Sequence, residues 1–269
     1  MRTHRFVSMN RLAPIMVIAV WFAGVAPLAF ASKTKPIVYE TTLEEPGQKT
    51  PEVSTDEFKA ILAKKIGVVF DARPKEEYAV AHIPGTISFD QKGLVRIAQS
   101  FPDPATAMVV YSNGPYCDWA KRRAQELVSL GYSKVSRYQL GLPVWRALGG
   151  TVETGLQGFR RIFYENNAVI VDARNRAEYA AGTIPAAETI LAGEVPKAKE
   201  DRRLRYYDHN TQIIVFANNA SEARAVAEEL ARNAYSNSSY FGGSYNELKR
   251  AKLFSERKPA PSYLDGLTQ

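Results

Sequence analysis

The chain has 269 residues, 45% hydrophobic and 23% charged, with 17 Gly and 15 Pro scattered without a period. That composition suits one large globular domain or two of roughly a hundred residues, and excludes fibrous, mucin-like and wholly disordered chains. A single cysteine and three histidines exclude an intramolecular disulfide and multi-cysteine metal or iron–sulfur sites. The formal charge of +7 overstates the folded part, because Arg2, Arg5 and Arg11 fall in residues 1–31, which hold no acid. The remainder carries about +4, too little and too dispersed for a nucleic-acid partner.

Residues 1–31 have the layout of an export signal. A basic stretch is followed by the apolar run PIMVIAVWFAGVAPLAF, and Ala29-Phe30-Ala31 offers small residues for cleavage after Ala31. The competing reading is a retained anchor, since residues 12–31 are uncharged and long enough to span a bilayer. Cleavage predicts an exported protein, periplasmic in a Gram-negative source, with no stable membrane span. Residues 32–54 are polar, with Pro36, Pro46 and Pro51, and read as a leader segment.

The folded region begins with a helical segment near 55–65 and a short apolar strand at 66–70. A small helix at 75–81 follows, then a segment ending in Pro84. The turn Pro102-Asp103-Pro104 precedes a strand at Ala107–Tyr111. A helix over 118–130 then places Ala120, Ala124, Leu127 and Val128 on one face, and Gly131 ends it. Lys134–Tyr138 starts another extended piece. The pattern then recurs, with strands near 168–171 and 212–216 and a helix over 221–234 striped by Ala223, Val226, Ala227, Leu230 and Ala234.

The recurrence is an internal repeat. VVFDARPKEEYAVAHIP at 68–84 aligns with VIVDARNRAEYAAGTIP at 169–185, placing Asp71 on Asp172, Arg73 on Arg174, Glu77 on Glu178 and Tyr78 on Tyr179. The period is too long for a solenoid unit and indicates two tandem domains. Strands alternating with amphipathic helices predict an α/β fold, each domain a mainly parallel sheet flanked by helices. The expected limits are 55–150 and 151–255, with a short joint near 150–158 and a loose tail at 256–269. The charged stretch 193–205 reads as a solvated loop or helix.

Ligand sites in such sheets lie beyond the carboxyl ends of the strands, which points to the loops after Tyr111 and Phe216. The first loop reads Ser112-Asn113-Gly114-Pro115-Tyr116-Cys117, and Asp118-Trp119 open the helix. A strand-to-helix loop presents backbone N–H groups and makes an anion cradle, although Pro115 removes one donor. No P-loop ending and no GxGxxG are present, so no nucleotide cofactor is expected. Cys117 would stand at the helix mouth, where the dipole and Lys121, Arg122 and Arg123 favour a thiolate while Asp118 opposes one. It can equally be a small buried apolar residue or a redox-sensing thiol. The repeated Asp71, Arg73, Tyr78, Asp172, Arg174 and Tyr179 read as structural, because the aspartates can fix the turn after each strand, the arginines can pair with adjacent acids and the tyrosines can pack beneath the loop. Trp145 reads as packing.

The run DARPKEEYAVAHIPG, followed by VVYSNGPYCDWAKRRAQELVSLGYSKV and LGLPVW, resembles a rhodanese, the sulfurtransferase domain, over approximately 55–150 and more weakly over 155–254. The resemblance implies a persulfide-forming cysteine immediately after the strand, held by loop amides. Here that position is Ser112, and the loop is similar to a lengthened Cys-x-Gly-Pro-x-Cys form whose second cysteine corresponds to Cys117. In the second copy Ala217 takes the nucleophile position, followed by Asn218 and Asn219, and Glu222 stands where an arginine is usual. That copy reads as silent. The expected function is a sulfurtransferase or sulfur carrier of the cell envelope acting through Cys117 on a small sulfur-containing anion or thiol. The alternative is a non-catalytic anion- or protein-binding module, with a partner in the envelope.

Overall fold

A computed structural model of the chain describes residues 37–166, 168–204 and 211–252. The expected export segment 1–31 and the tail 256–269 lie outside the described residues. The first lobe opens where Ser54 caps α1 (Thr55–Lys64). The Ser54 hydroxyl accepts from the Glu57 amide at 3.3 Å, and the Glu57 carboxylate accepts from the Ser54 amide at 2.7 Å. The chain continues through β1 (Val68–Asp71), α2 (Lys75–Val80), β2 (Ile87–Ser88), α3 (Phe89–Ser100), β3 (Met108–Tyr111), α4 (Trp119–Ser129), β4 (Val135–Tyr138) and α5 (Gly141–Ala147).

These strands form a parallel sheet in the order β2-β1-β3-β4. Strand alternation splits the core in two. Val69, Val109 and Tyr111 pack with Phe58 and Trp145 on one face, whereas Phe70, Met108 and Val110 pack with Phe89, Ile97 and the α4 residues Ala120, Ala124 and Leu127 on the other. Trp145 also donates its indole N–H to the Thr151 carbonyl at 2.9 Å.

The second lobe runs β5 (Val152–Thr154), α6 (Leu156–Glu165), β6 (Ala168–Asp172), α7 (Arg176–Ala181), β7 (Ala187–Thr189), α8 (Val195–Glu200), β8 (Gln212–Phe216), α9 (Ala220–Arg232), β9 (Ser238–Phe241) and α10 (Tyr245–Arg250). Its sheet order is β5-β9-β8-β6-β7, again parallel. The two-copy α/β architecture read from the repeat is therefore present.

Several local readings change. Residues 150–158 do not form a simple joint, because β5 lies within them and joins the second sheet beside β9. Val128 is 44% exposed, since it stands about 100° round the helix from the buried Leu127. Ala234 is exposed too, lying beyond α9 in a left-handed turn at φ 72°. Helix α3 has little sequence signal because Gly93, at φ 68°, breaks it with a kink and interrupts its periodicity.

The polar leader is strapped to the first sheet. The Arg137 amide of β4 donates to the Pro51 carbonyl, and the Arg137 carbonyl accepts from Val53 N. The Arg137 side chain, 1% exposed, reaches Glu45 at 3.3 Å, Gln48 at 3.0 Å and Glu52 at 3.6 Å. This strap occupies the place beside β4 that β5 takes beside β9.

The lobes are sewn together where α2 ends. His82 and Glu153 exchange backbone hydrogen bonds at 2.9 and 2.8 Å, and Gly155 N donates to the Ala79 carbonyl at 2.9 Å. The Thr154 hydroxyl donates to the Val80 carbonyl at 2.8 Å. Helices α2 and α6 approach so closely that a Cβ on Gly158 would lie 2.0 Å from the Ala79 oxygen.

Candidate functional site

The two β1-type strands end in the same buried construction. In the first copy Asp71, 0% exposed, accepts from Arg73 through the Arg73 amide at 3.0 Å, Nε at 2.9 Å and Nη2 at 2.6 Å. Arg73 also donates to the Ala81 carbonyl at 2.5 Å. In the second copy Asp172 holds Arg174 at 3.0, 3.0 and 2.6 Å, and Arg174 donates to Gly182 O at 2.7 Å. Each pair clamps the turn before the small helix onto its far end. Burial by itself would lower the affinity of Arg73 for its proton, but Asp71 reverses this through its hydrogen bonds and charge, so the pKa rises. Tyr78 and Tyr179 close the same loops by donating to Thr86 O at 2.7 Å and Ala187 O at 3.0 Å.

One further acceptor position on each aspartate is filled differently in the two copies. Tyr111, fully buried at the end of β3, donates to Asp71 Oδ2 at 2.6 Å and accepts from Ile83 N at 3.0 Å. Burial, then the charge of Asp71, push its phenol pKa well up, so it remains a donor. The second copy has Phe216 there, and the Thr183 hydroxyl donates to Asp172 Oδ2 instead, at 2.6 Å. The paired change is visible in the aligned repeats, because His82 faces Thr183 and Tyr111 faces Phe216. Sequence reasoning passed over it.

The loop after β3 is seven residues long, 112–118, against three, 217–219, after β8. Both start alike. Ser112 is buried and its carbonyl accepts from Leu142 N at 3.0 Å, as the buried Ala217 carbonyl accepts from Tyr245 N at 2.8 Å. Asn113 donates to Glu77 at 2.9 Å, and Asn218 donates to Glu178 at 2.8 Å. The loops then diverge. In the first copy Gly114, at φ 101°, turns the chain beneath the α5 entry, and Cys117 N donates back to Gly114 O at 3.0 Å. A Cβ on Gly141 would fall 2.5 Å from both Gly114 N and Ser112 O, so backbone meets backbone there.

Cys117 is a free thiol, partly exposed, two residues before α4. Tyr116 beside it is fully exposed. Asp118 makes no side-chain cap on α4, so the first-turn amides of that helix are not consumed by a side chain at the cap. In the second copy Asn219 accepts from Glu222 N at 3.0 Å and donates to the Glu222 carboxylate at 2.8 Å, closing the α9 entrance. Ala217 has no group to offer. The two arginines near Cys117 point elsewhere. Arg123 pairs with Glu126 at 2.9 Å and lies over the Phe89 ring at 5.0 Å. Arg122 lines a hollow with Leu94, Gln125 and Leu130. Successive helix positions are about 100° apart, which carries their heads round toward α3.

Behind the loop, His82 lies between the lobes. Its ring stacks on Tyr78 at 3.8 Å, Nδ1 meets the Tyr78 carbonyl at 2.8 Å, and Nε2 is 3.7 Å from Glu153. Burial lowers its pKa, partly opposed by the Tyr78 carbonyl and Glu153. Among the described residues no group of metal-binding side chains is present, and no helix is long and apolar enough to cross a membrane.

Comparison with known proteins identifies the repeat. The family model described as a rhodanese-like domain matches residues 54–148 and 157–251. No curated protein matches the chain. Among solved structures, a thiosulfate sulfurtransferase from Pseudomonas aeruginosa is 23% identical with a TM-score of 0.32, the match covering 73% of this chain and 41% of that one. SseA from Escherichia coli, described as a 3-mercaptopyruvate sulfotransferase, is 20% identical over 73% of this chain and 99% of that chain, at a TM-score of 0.34. The human single-domain sulfurtransferase TSTD1 is 24% identical over 36% of this chain and 95% of its own, at 0.32.

Proposed function

The chain belongs to the rhodanese-like domain family, as two copies in tandem, and from that premise we propose that it is a sulfurtransferase or sulfur carrier whose working group is Cys117. The observation that carries the reading is the position of the thiol. It is partly exposed in the long strand-to-helix loop, before a helix whose first turn lacks a side-chain cap. The corresponding second loop is short, capped by Asn219 and without a thiol.

In the proposed step the Cys117 thiolate attacks the outer sulfur of thiosulfate. A new S–S bond forms at Cys117 while the sulfur–sulfur bond of thiosulfate breaks, and sulfite leaves with the electron pair. A persulfide donor would react in the same way and release its thiolate. Loop amides at Asn113, Gly114 and Tyr116 and the α4 amino terminus would stabilise the terminal sulfur's charge. Arg123 is held by Glu126 and contributes at most a distant field. A thiol, sulfite or cyanide acceptor then takes the outer sulfur and restores Cys117. Export through residues 1–31, with cleavage after Ala31 and action in the periplasm, belongs to the same proposal and rests on the sequence pattern.

Incubating the protein with thiosulfate or a low-molecular-weight persulfide tests the reading by intact-mass measurement. The expected product is heavier by about 32 Da, one sulfur atom, is lost on adding cyanide, and is absent in Cys117→Ser. An unmodified mass with Cys117 still open to alkylation overturns it. The second reading, a binding module without chemistry, is favoured by Ser112. The family's persulfide position holds a hydroxyl there, and its backbone carbonyl is tied to Leu142. Binding of an envelope protein with equal strength by wild type and Cys117→Ser would support that reading.

A further inference from the structure

Between the lobes lies a cleft of about 310 Å³, at the lower end of the range for small-ligand sites. The first lobe supplies Arg73, Glu77 and Arg146 to its wall, and the second supplies Arg161, Glu165 and Asn237. Two of these cations already have acids. Arg73 is bound by Asp71 and stands 3.8 Å from Glu77, and Arg161 pairs with Glu165 at 2.7 Å.

Arg146 differs. It lies in the last turn of α5 and reaches across to the second lobe, where Nη1 donates to Asn237 Oδ1 at 2.8 Å and to Ser236 O at 3.5 Å. Both acceptors are neutral. No carboxylate comes within ion-pair distance of it among the described residues. A partly buried guanidinium that faces only neutral acceptors is suited to an anion that offers two oxygens to its planar fork. Burial, together with the like charge of Arg73, lowers the Arg146 pKa to about 10. The electrostatic surroundings thus favour an incoming negative charge.

We propose that the interlobe cleft is a binding site for one small oxyanion, a carboxylate or a sulfur oxyanion, held by the Arg146 guanidinium. One anion suffices, because Arg73 and Arg161 are already paired with Asp71 and Glu165. The site draws on both copies, since Arg146 comes from the first lobe while Arg161, Glu165 and Asn237 line it from the second. It gives the silent repeat a task that does not involve the loop after β8. The inference goes beyond the sulfur-transfer reading and does not use the thiol. Glu77 nonetheless connects the two places, because it lines the cleft and holds Asn113 of the Cys117 loop.

Calorimetric titration of the whole chain with sodium thiosulfate, sodium acetate and sodium chloride at matched ionic strength tests the proposal. Saturable binding of thiosulfate, acetate or both is expected, with chloride giving none. A response to thiosulfate alone identifies a sulfur oxyanion, and a response to acetate identifies a carboxylate. Arg146→Gln is expected to weaken binding at least about tenfold, the worth of one charge-assisted contact. Asn237→Ala, which removes a competing acceptor and keeps the charge, is expected to bind at least as tightly as wild type. That variant keeps the test informative if Arg146→Gln does not fold. Cys117→Ser, which forms no persulfide, is expected to keep the Arg146-dependent binding. Equal affinity in Arg146→Gln, a tenfold loss in Asn237→Ala, or loss in Cys117→Ser overturns the cleft site. Oxyanion binding that depends on Arg146, without any persulfide on Cys117, leaves the site standing and removes the catalytic reading instead.

Discussion

Replacing Tyr111 by Phe should cost the first lobe about 3 kcal/mol of stability. The hydroxyl donates to the fully buried Asp71 carboxylate at 2.6 Å and accepts from Ile83 N at 3.0 Å. A hydrogen bond to a charged group contributes roughly 1.5–3 kcal/mol and a neutral one about 1, and both remaining partners would stay buried. The second copy shows how the protein itself manages without the phenol, through the Thr183 hydroxyl on Asp172. Transplanting that solution as Tyr111→Phe with His82→Thr should restore the charge-assisted bond. His82→Thr by itself loses the stack on Tyr78 and the bond to the Tyr78 carbonyl, so the informative quantity is the coupling in a double-mutant cycle. It should be favourable by about 1.5 kcal/mol, measured from urea unfolding of the four proteins. Additive effects within about 0.5 kcal/mol would refute the exchange of donors, and a Tyr111→Phe cost below that figure would refute the role of the phenol altogether.

The seam between the lobes makes a second prediction. Gly158→Ala puts a carbon 2.0 Å from the Ala79 oxygen, and parting α2 from α6 should cost about 3 kcal/mol. Chemical denaturation would show it, and an unchanged midpoint would mean the helices are not pressed together. His82 predicts a pH dependence. Its folded pKa is depressed by burial, so its contribution is fully present above the ordinary histidine value near about 6.5 and is lost as pH falls through the lower folded value. His82→Gln should flatten the acid limb of a stability-against-pH profile, and an identical slope in the variant would place the titrating group elsewhere.

Much of the architecture was legible because it is local or repeated. Apolar runs of four or five residues separated by amphipathic helices mark buried parallel strands. The recurrence of Asp-Ala-Arg with Glu-Tyr and Ile-Pro at one spacing shows that the unit occurs twice. The loop containing Cys117 could be located for the same reason, as the join between a strand end and a helix start. The direction of Arg122 and Arg123 was within reach of helical geometry, since neighbours on a helix cannot all face its amino-terminal loop. Gly93 shows the opposite limit. One residue at positive φ broke α3 into pieces too short to carry a period.

What depended on tertiary structure is contact between residues distant in the chain. The leader looked like polar spacer until Glu45, Gln48 and Glu52 met the buried Arg137. Residues 152–154 looked like a joint because three residues carry almost no periodicity, yet pairing with β9 makes them a strand. Arg146 follows the LGLPVW run without any sign of a role, and its importance comes from being carried across to Asn237 while the nearby carboxylates are taken by other arginines. Periodicity reports which face of an element avoids water. It cannot report which charges remain unbalanced once two lobes close, because that depends on distances the linear order does not contain.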